Sequence, residues 1–138
     1  MATGTCINST DEDLLVYGPK IDGSPFDNSL YLLPTGMKTP ASWDCDGIYV
    51  PSDRVAIQLV GANKQGPVAV KFGLQIVDYT FTITKDGTGY RMPANQGVFS
   101  PTETCRPSNY PTCVNWEIPS ISQGQVSSYP HVPNAVKA

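Results

Sequence analysis

The stretch Tyr79-Thr-Phe-Thr-Ile-Thr-Lys-Asp-Gly-Thr-Gly-Tyr-Arg-Met92 decides the fold. Tyr79, Phe81 and Ile83 alternate with three threonines, and this period of two residues is typical of a strand that buries one face. Asp-Gly at positions 86 and 87 predicts a tight turn, because glycine readily adopts the positive φ that hairpin turns require. Gly89 to Met92 then forms the returning strand. The stretch therefore predicts an antiparallel β-hairpin.

Strand patterns continue on both sides of this hairpin. The N-terminal side predicts a first hairpin over 3–10 and 14–17, short strands at 30–33 and 47–50, and a strand pair over 54–60 and 68–72. Several of these runs end at a proline, which protects a strand end from edge pairing. No segment of ten residues has the 3.6-residue period of a helix. We therefore expect roughly seven to nine strands in an all-β fold, as a single antiparallel β-sandwich or an open barrel.

The composition excludes several classes of protein. The chain has 138 residues, of which 15% are charged and 40% are hydrophobic. This length suits one domain, and the hydrophobic content is too high for a disordered polyelectrolyte. A net charge of −3 with scattered basic residues argues against nucleic-acid binding. No run is apolar enough to cross a bilayer as a helix, and a membrane partner is not expected.

The C-terminal part of the chain has a different composition. The last 42 residues hold six prolines and only four charged residues. We expect a β-sandwich domain over residues 1–123 and an extended, proline-rich C-terminal arm over residues 124–138. An uncharged, extended segment can add to a sheet edge or fill a groove. The arm is thus a candidate contact with a partner, or with a second copy in a homo-oligomer.

Four cysteines bear on the cellular compartment: Cys6, Cys45, Cys105 and Cys113. No Cys-x-x-Cys occurs, so a structural zinc site is not expected. Cys105 and Cys113 bracket a short proline-containing loop, which favours a local disulfide and leaves Cys6 to pair with Cys45. The alternative is four buried free thiols. Disulfides would favour an oxidising compartment, and hence a secreted or extracellular protein rather than a cytoplasmic one.

The densest carboxylate group consists of Asp44, Asp46 and Asp53. Asp44-Cys-Asp46-Gly47 resembles the start of a calcium loop, because oxygen ligands at alternate positions suit hard cations. The resemblance ends there, since Val55 stands where an EF-hand has its bidentate glutamate. A calcium site completed by loop carbonyls remains one hypothesis. The other is that Asp44 and Asp46 make hydrogen bonds within turns.

Aromatic residues lie in or beside the proline- and glycine-rich loops. Tyrosine and tryptophan often dominate binding surfaces and also stack on sugars. The alternative for the tryptophans is that they close the ends of the core. The candidate binding residues are Trp43, Tyr49, Tyr110, Trp116 and Tyr129.

The motifs that are missing limit the chemistry. The chain has no Walker loop, no dinucleotide fingerprint and no Gly-x-Ser-x-Gly. Its sole histidine, His131, lies in the proline-rich C-terminal part. We expect no cofactor and interpret the chain as a non-catalytic binding module, an assembly component or a secreted effector, which recognises a protein or glycan through loop aromatics and the C-terminal arm. The alternatives are a small hydrolase that uses the Asp44/Asp46 loop and a membrane-active β toxin.

Overall fold

A computed structural model describes residues 4–19, 28–58, 61–72, 78–92, 97–103 and 116–138. Its strands are β1 (Gly4–Asn8), β2 (Leu14–Pro19), β3 (Asn28–Leu33), β4 (Met37–Lys38), β5 (Gly47–Val50), β6 (Val55–Ile57), β7 (Lys64–Gln65), β8 (Val68–Lys71), β9 (Tyr79–Asp86), β10 (Gly89–Arg91), β11 (Gly97–Phe99) and β12 (Val136–Lys137). A 3₁₀-helix spans Gln123–Ser128.

These strands form two sheets. The order is β12-β4-β1-β9-β10-β6-β7 in the seven-stranded sheet and β11-β8-β5-β2-β3 in the five-stranded sheet. The sheets do not close into a barrel, so the prediction of an all-β, sandwich-like fold is confirmed. The prediction of purely antiparallel pairing is wrong for the larger sheet. There β1 runs parallel to β9, and β6 runs parallel to β10.

The central hairpin forms as predicted. Strands β9 and β10 pair antiparallel, and Gly87 has a φ of 63° at the turn. Phe81 and Ile83 are buried, whereas the intervening threonines are exposed. Tyr79 departs from the predicted pattern, because its side chain is 40% exposed. It lies at the first position of β9, where the parallel neighbour β1 also begins.

The predicted N-terminal hairpin does not form, because β1 and β2 belong to different sheets. The chain crosses between the sheets after Asn8, and the buried side chain of this residue stabilises the crossing. Its Nδ2 donates to the backbone oxygens of Glu12 and Leu33 at 2.9 and 2.8 Å, and its Oδ1 accepts from the backbone N–H and the hydroxyl of Thr10.

The predicted pairing of residues 54–60 with residues 68–72 is also wrong, because β6 and β8 lie in different sheets.

The five-stranded sheet is buried on both faces. Leu14, Val16 and Ile48 belong to the cluster between the two sheets. Their neighbours Leu15 and Tyr49 belong to a second cluster on the opposite face. A strand with two covered faces needs a continuous apolar run rather than alternation. This explains the runs Leu-Leu-Val-Tyr and Gly-Ile-Tyr-Val in β2 and β5.

The outer face of that sheet is covered by the C-terminal segment, residues 116–138. Ile118 and Val126 are buried in the second cluster. Farther on, Leu32 of β3 exchanges backbone hydrogen bonds with Pro130 and Val132, at 2.7 and 2.9 Å. Finally, β12 pairs with β4 of the other sheet. The extended arm predicted for residues 124–138 is therefore not seen projecting from the domain, and the predicted boundary at residue 123 falls inside the 3₁₀-helix.

Candidate functional site

A disulfide anchors the region where the sequence predicts a site. Cys6 of β1 is bonded to Cys45, which lies just before β5, with their Cα atoms 6.2 Å apart. The bond thus links the seven-stranded sheet to the five-stranded sheet. This confirms the predicted pairing of Cys6 with Cys45. Cys105 and Cys113 lie outside the described residues.

Beside this disulfide lies a groove of about 420 Å³, which we call the Trp43 groove. Three separate parts of the chain form its wall: the end of β2, the loop between β4 and β5, and the C-terminal segment. The lining residues are Pro19, Pro40, Ser42, Trp43, Asp44, Pro133 and Asn134. The groove therefore combines apolar proline and indole surface with a hydroxyl, a carboxylate and an amide.

Trp43 is fixed in place on several sides. Its Nε1–H donates to the backbone oxygen of Pro19 at 2.9 Å, and its ring meets that of Tyr31 edge to face at 5.5 Å. Gly18 admits the ring, because a Cβ atom there would lie 2.6 Å from Cζ2 of Trp43. The side chain is only 9% exposed. Trp43 thus belongs to the core, which is one of the two alternatives considered for it, and it also forms part of the groove wall.

Asn134 brings the C-terminal segment into the groove wall. Its φ is 58°, in the left-handed region that asparagine tolerates better than most residues. It follows Pro133, whose own conformation is restricted by its ring. Neither residue was predicted from the sequence to belong to a site. The available signal was an asparagine that follows a proline. This pattern indicates a turn, but it does not indicate which part of the fold the turn contacts.

Asp44 and Asp46 form a pair of carboxyl groups next to the groove, and the charge of Asp44 acts on Asp46. Asp44 Oδ1 accepts the backbone N–H of Gly4 at 2.6 Å, and Asp46 Oδ2 accepts from the amide of Asn28 at 3.3 Å. Burial, followed by the charge and hydrogen bond of Asp44, raises the pKa of Asp46 to about 7, against the opposing effects of Lys71 and Asn28. Asp46 therefore holds a proton more firmly than an ordinary aspartate does.

Asp53, the third carboxylate of the predicted metal set, lies elsewhere. It follows the C-terminal end of β5, whereas Asp44 and Asp46 precede the N-terminal end. Its Oδ1 accepts the backbone N–H of Gln123 at 2.9 Å. Within the described parts of the chain, no group of three or more His, Cys, Asp or Glu side chains could hold a metal ion. The three aspartates are thus not brought together. The hydrogen bonds that Asp44 and Asp46 accept come from Gly4 and Asn28, which are distant in sequence, and not from within a turn.

The other aromatic candidates hold the C-terminal segment against the five-stranded sheet. The hydroxyl of buried Tyr49 donates to the oxygen of Pro119 at 2.5 Å and accepts the N–H of Ile121 at 3.1 Å. Trp116 packs on Tyr17 with ring centroids 5.0 Å apart, and Tyr129 packs against the same cluster. Tyr110 lies outside the described residues. Most of the aromatic residues that were predicted to form a binding surface therefore make contacts inside the protein.

The structure also contains a charged cluster that was not predicted from the sequence. Arg54 binds both carboxylate oxygens of Glu12, at 2.9 and 2.7 Å, and Lys85 binds Asp11 at 2.9 Å. The Glu12 carboxylate raises the pKa of Arg54 through this paired hydrogen bond. These contacts join the turn before β2 to β9 and to the start of β6. They account for the acidic run at 11–13 as a structural feature.

Comparisons with known proteins add no further constraint. No protein-family model, curated protein or solved structure matches the chain. Among the residues that the structure describes, no helix is long and apolar enough to cross a membrane.

Proposed function

We propose that the chain is a non-catalytic binding module and that the Trp43 groove is its ligand site, with a neutral glycan as the ligand. The observation that carries this proposal is the make-up of the groove wall. It combines an indole with the hydroxyl of Ser42, the carboxylate of Asp44 and the amide of Asn134. A sugar needs both kinds of surface, since its C–H face packs on aromatic rings and its hydroxyls require donors and acceptors.

The dimensions and rigidity of the groove support the same proposal. A volume of about 420 Å³ lies within the usual range of small-molecule sites. Trp43 is held by Pro19, Tyr31 and the disulfide-linked loop, so little ordering is needed when a ligand arrives. The disulfide also favours an oxidising compartment, and we propose a secreted or extracellular location for this reason.

Titration with a panel of neutral mono- and disaccharides, with binding detected by saturation-transfer NMR, tests the proposal. Asn134→Gly is the most selective variant, because glycine keeps the positive φ and removes only the amide. We expect at least one sugar to bind, and its affinity to fall roughly fivefold in this variant, the size of one lost hydrogen bond. Thr102→Gly, on an exposed turn away from the groove lining, is the matched control. Equal binding by both variants would contradict the assignment.

Partners other than a glycan have less support. A protein partner or a homo-oligomer was predicted through the C-terminal arm, but β12 pairs with β4 of the same chain. A membrane-active toxin would present apolar surface, yet the large hydrophobic residues exposed in the described ranges are Tyr79 and Val136 alone. Both remain hypotheses that the groove does not favour.

A hydrolase is the second candidate function, and the Asp44–Asp46 pair is the observation that favours it. Two neighbouring carboxyl groups, one of them with a raised pKa, form the acid–base unit of aspartic proteases. Of the two, however, only Asp44 is among the residues that line the groove. Asp46→Asn tests this alternative: a hydrolytic activity in the native protein that this variant abolishes would establish the enzyme and overturn the binding module.

A further inference from the structure

The sequence contains one acceptor triplet for N-linked glycosylation, Asn8-Ser9-Thr10. This modification attaches a sugar to the side-chain nitrogen of the asparagine, and a usable triplet lies in an exposed surface loop. Here the triplet lies where β1 ends and the chain crosses to the five-stranded sheet. Ser9 is exposed, but Asn8 and Thr10 are buried. The contacts of these two side chains therefore decide whether the triplet can be modified.

The amide of Asn8 has both of its hydrogens engaged inside the protein. The side chain is 0% exposed. Nδ2 carries two hydrogens, and they are donated to the backbone oxygens of Glu12 and Leu33 at 2.9 and 2.8 Å. A glycosidic bond replaces one of these hydrogens with the anomeric carbon of a sugar. The modified side chain would lose one of the two hydrogen bonds and would place a sugar ring among buried residues.

Thr10, whose hydroxyl the acceptor motif requires, is held in the same way. Its backbone N–H donates to Asn8 Oδ1 at 3.0 Å, and its hydroxyl donates to the same atom at 2.7 Å. The backbone of the triplet is engaged as well, because Gly36 donates to the oxygen of Asn8 and Ser9 donates to the oxygen of Ile83, each at 2.9 Å. Drawing the triplet into the active site of an enzyme therefore requires its separation from β9 and from the turn before β4.

We infer that N-glycosylation of Asn8 and the native fold exclude each other, so that the triplet is an acceptor only in the unfolded chain. In the transfer, a bond forms between Nδ2 and the anomeric carbon, the diphosphate of the activated sugar leaves, and the amide proton passes to a base of the transferase. A chain that is modified before it folds lacks a hydrogen bond that stabilises the crossing between the sheets. This inference concerns the fold and does not depend on a ligand in the Trp43 groove.

A soluble N-glycosyltransferase, with UDP-glucose as the sugar donor, tests the folded protein. We expect the native chain to gain no hexose in intact-mass spectrometry. Ile48→Asp should unfold the chain, because it places a charge at a core position that is 0% exposed, and circular dichroism checks the unfolding. This variant should gain one hexose at Asn8. Gln65→Thr is the matched control, since it makes residues 63–65 a second acceptor triplet in an exposed turn. It should gain one hexose at Asn63 while folded.

Refolding in the presence of the same enzyme tests the exclusion itself. Urea-unfolded native protein is diluted into buffer that contains the transferase and UDP-glucose, and half of the sample is then treated with a protease. We expect modified chains in the untreated half and no hexose on the intact chains that survive the protease. A hexose on Asn8 of the native protein, a modified chain that resists the protease, or an unfolded Ile48→Asp chain that gains no hexose would overturn the inference.

Discussion

At the residue scale, the groove and its surroundings depend on a few close contacts around Trp43 and Asp46. Between its ordinary pKa of 3.8 and its folded pKa of about 7, Asp46 is mostly protonated in the folded protein and mostly ionised in the unfolded chain. Trp43 needs a glycine beside it because its ring lies against the backbone of β2. Both features give predictions that can be measured on single substitutions.

The raised pKa of Asp46 predicts a loss of stability with rising pH. Its folded pKa of about 7 lies above the ordinary value of 3.8, so the folded state binds more protons between these two values. The stabilisation contributed by the proton is complete below about pH 4 and is lost as the pH rises through about 7. Asp46→Asn should remove this dependence and should raise the melting temperature at about pH 8.

Asp53→Asn is the control for that measurement, because its carboxylate is not part of the pair. Thermal unfolding of the three proteins across this pH range checks the prediction. A melting temperature that falls equally in the Asp46 variant and the native protein would contradict the raised pKa of Asp46.

Gly18→Ala tests the contact of Trp43 with the backbone. The new Cβ would lie 2.5 Å from the backbone oxygen of Asp44 and 2.6 Å from the Trp43 ring. Relief of this clash requires movement of the groove loop, so we expect a loss of about 1–3 kcal/mol in the free energy of unfolding. Gly124→Ala is the control, since its nearest neighbour is Ser122 Oγ at 3.9 Å. Urea unfolding of both variants should separate them clearly, and equal stabilities would disprove the contact.

At the element scale, the main feature is the C-terminal segment that covers the five-stranded sheet. Its low charge and its prolines predict an extended arm when the composition is considered alone. In the structure, the same low charge suits a segment that packs on an apolar sheet face through Ile118 and Val126. Tyr49 holds the turn into the 3₁₀-helix by its hydroxyl. The segment should therefore contribute to folding stability.

Val126→Ala measures that contribution. Val126 is 2% exposed, and truncation in a packed site costs about 1–3 kcal/mol through lost burial and a small cavity. Val136→Ala is the matched control, because Val136 is 44% exposed and should change the stability by less than about 0.5 kcal/mol. Deletion of residues 124–138 should lower the melting temperature far more than either substitution. If the deleted protein melts within a few degrees of the full chain, the segment is an arm and not a cover.

Elements also show how much of the fold could be predicted from the sequence. The hairpin over 79–92 is local, and its alternation and Asp-Gly turn were sufficient to predict it. The assignment of β1 and β2 to different sheets was not predictable in this way. A period of two residues shows which face of a strand is buried, but it does not show which strand pairs with it. The parallel pairing of β1 with β9 joins residues more than 70 positions apart, and no local pattern encodes it.

The candidate site was predictable in part for the same physical reason. Trp43 and the Asp44–Asp46 pair could be identified because they are close in sequence and unusual in type. Asn134 and Pro133 could not, since their place in the groove follows from how the C-terminal segment crosses the sheets. Tyr49 and Trp116 were predicted to bind a partner because tyrosine and tryptophan suit both interiors and interfaces. Only the packing of the C-terminal segment on the sheet shows that these two residues lie in an internal contact and not at an interface.

At the scale of the whole molecule, the Cys6–Cys45 disulfide joins the two sheets next to the groove. It closes a loop with a sequence separation of 39 residues, and such a constraint on the unfolded chain stabilises the fold by about 4 kcal/mol. The double variant Cys6→Ala, Cys45→Ala should lose stability of this order in urea unfolding. Addition of a reductant should not destabilise the double variant to the same extent as the native protein. Equal stability of the native and variant proteins in the absence of reductant would show that the bond does not constrain the fold.

The central claim is that the Trp43 groove is the ligand site, and the indole N–H signals of the two tryptophans test it most directly. Trp43 Nε1–H lies at the groove wall, hydrogen-bonded to Pro19, whereas Trp116, the first residue of the C-terminal segment, packs on Tyr17. Trp116→Phe assigns the two signals in a ¹⁵N–¹H spectrum. On titration with the disaccharide panel, the account predicts that the Trp43 signal moves and the Trp116 signal does not. Movement of the Trp116 signal alone, or of neither signal at saturating sugar, would contradict the account.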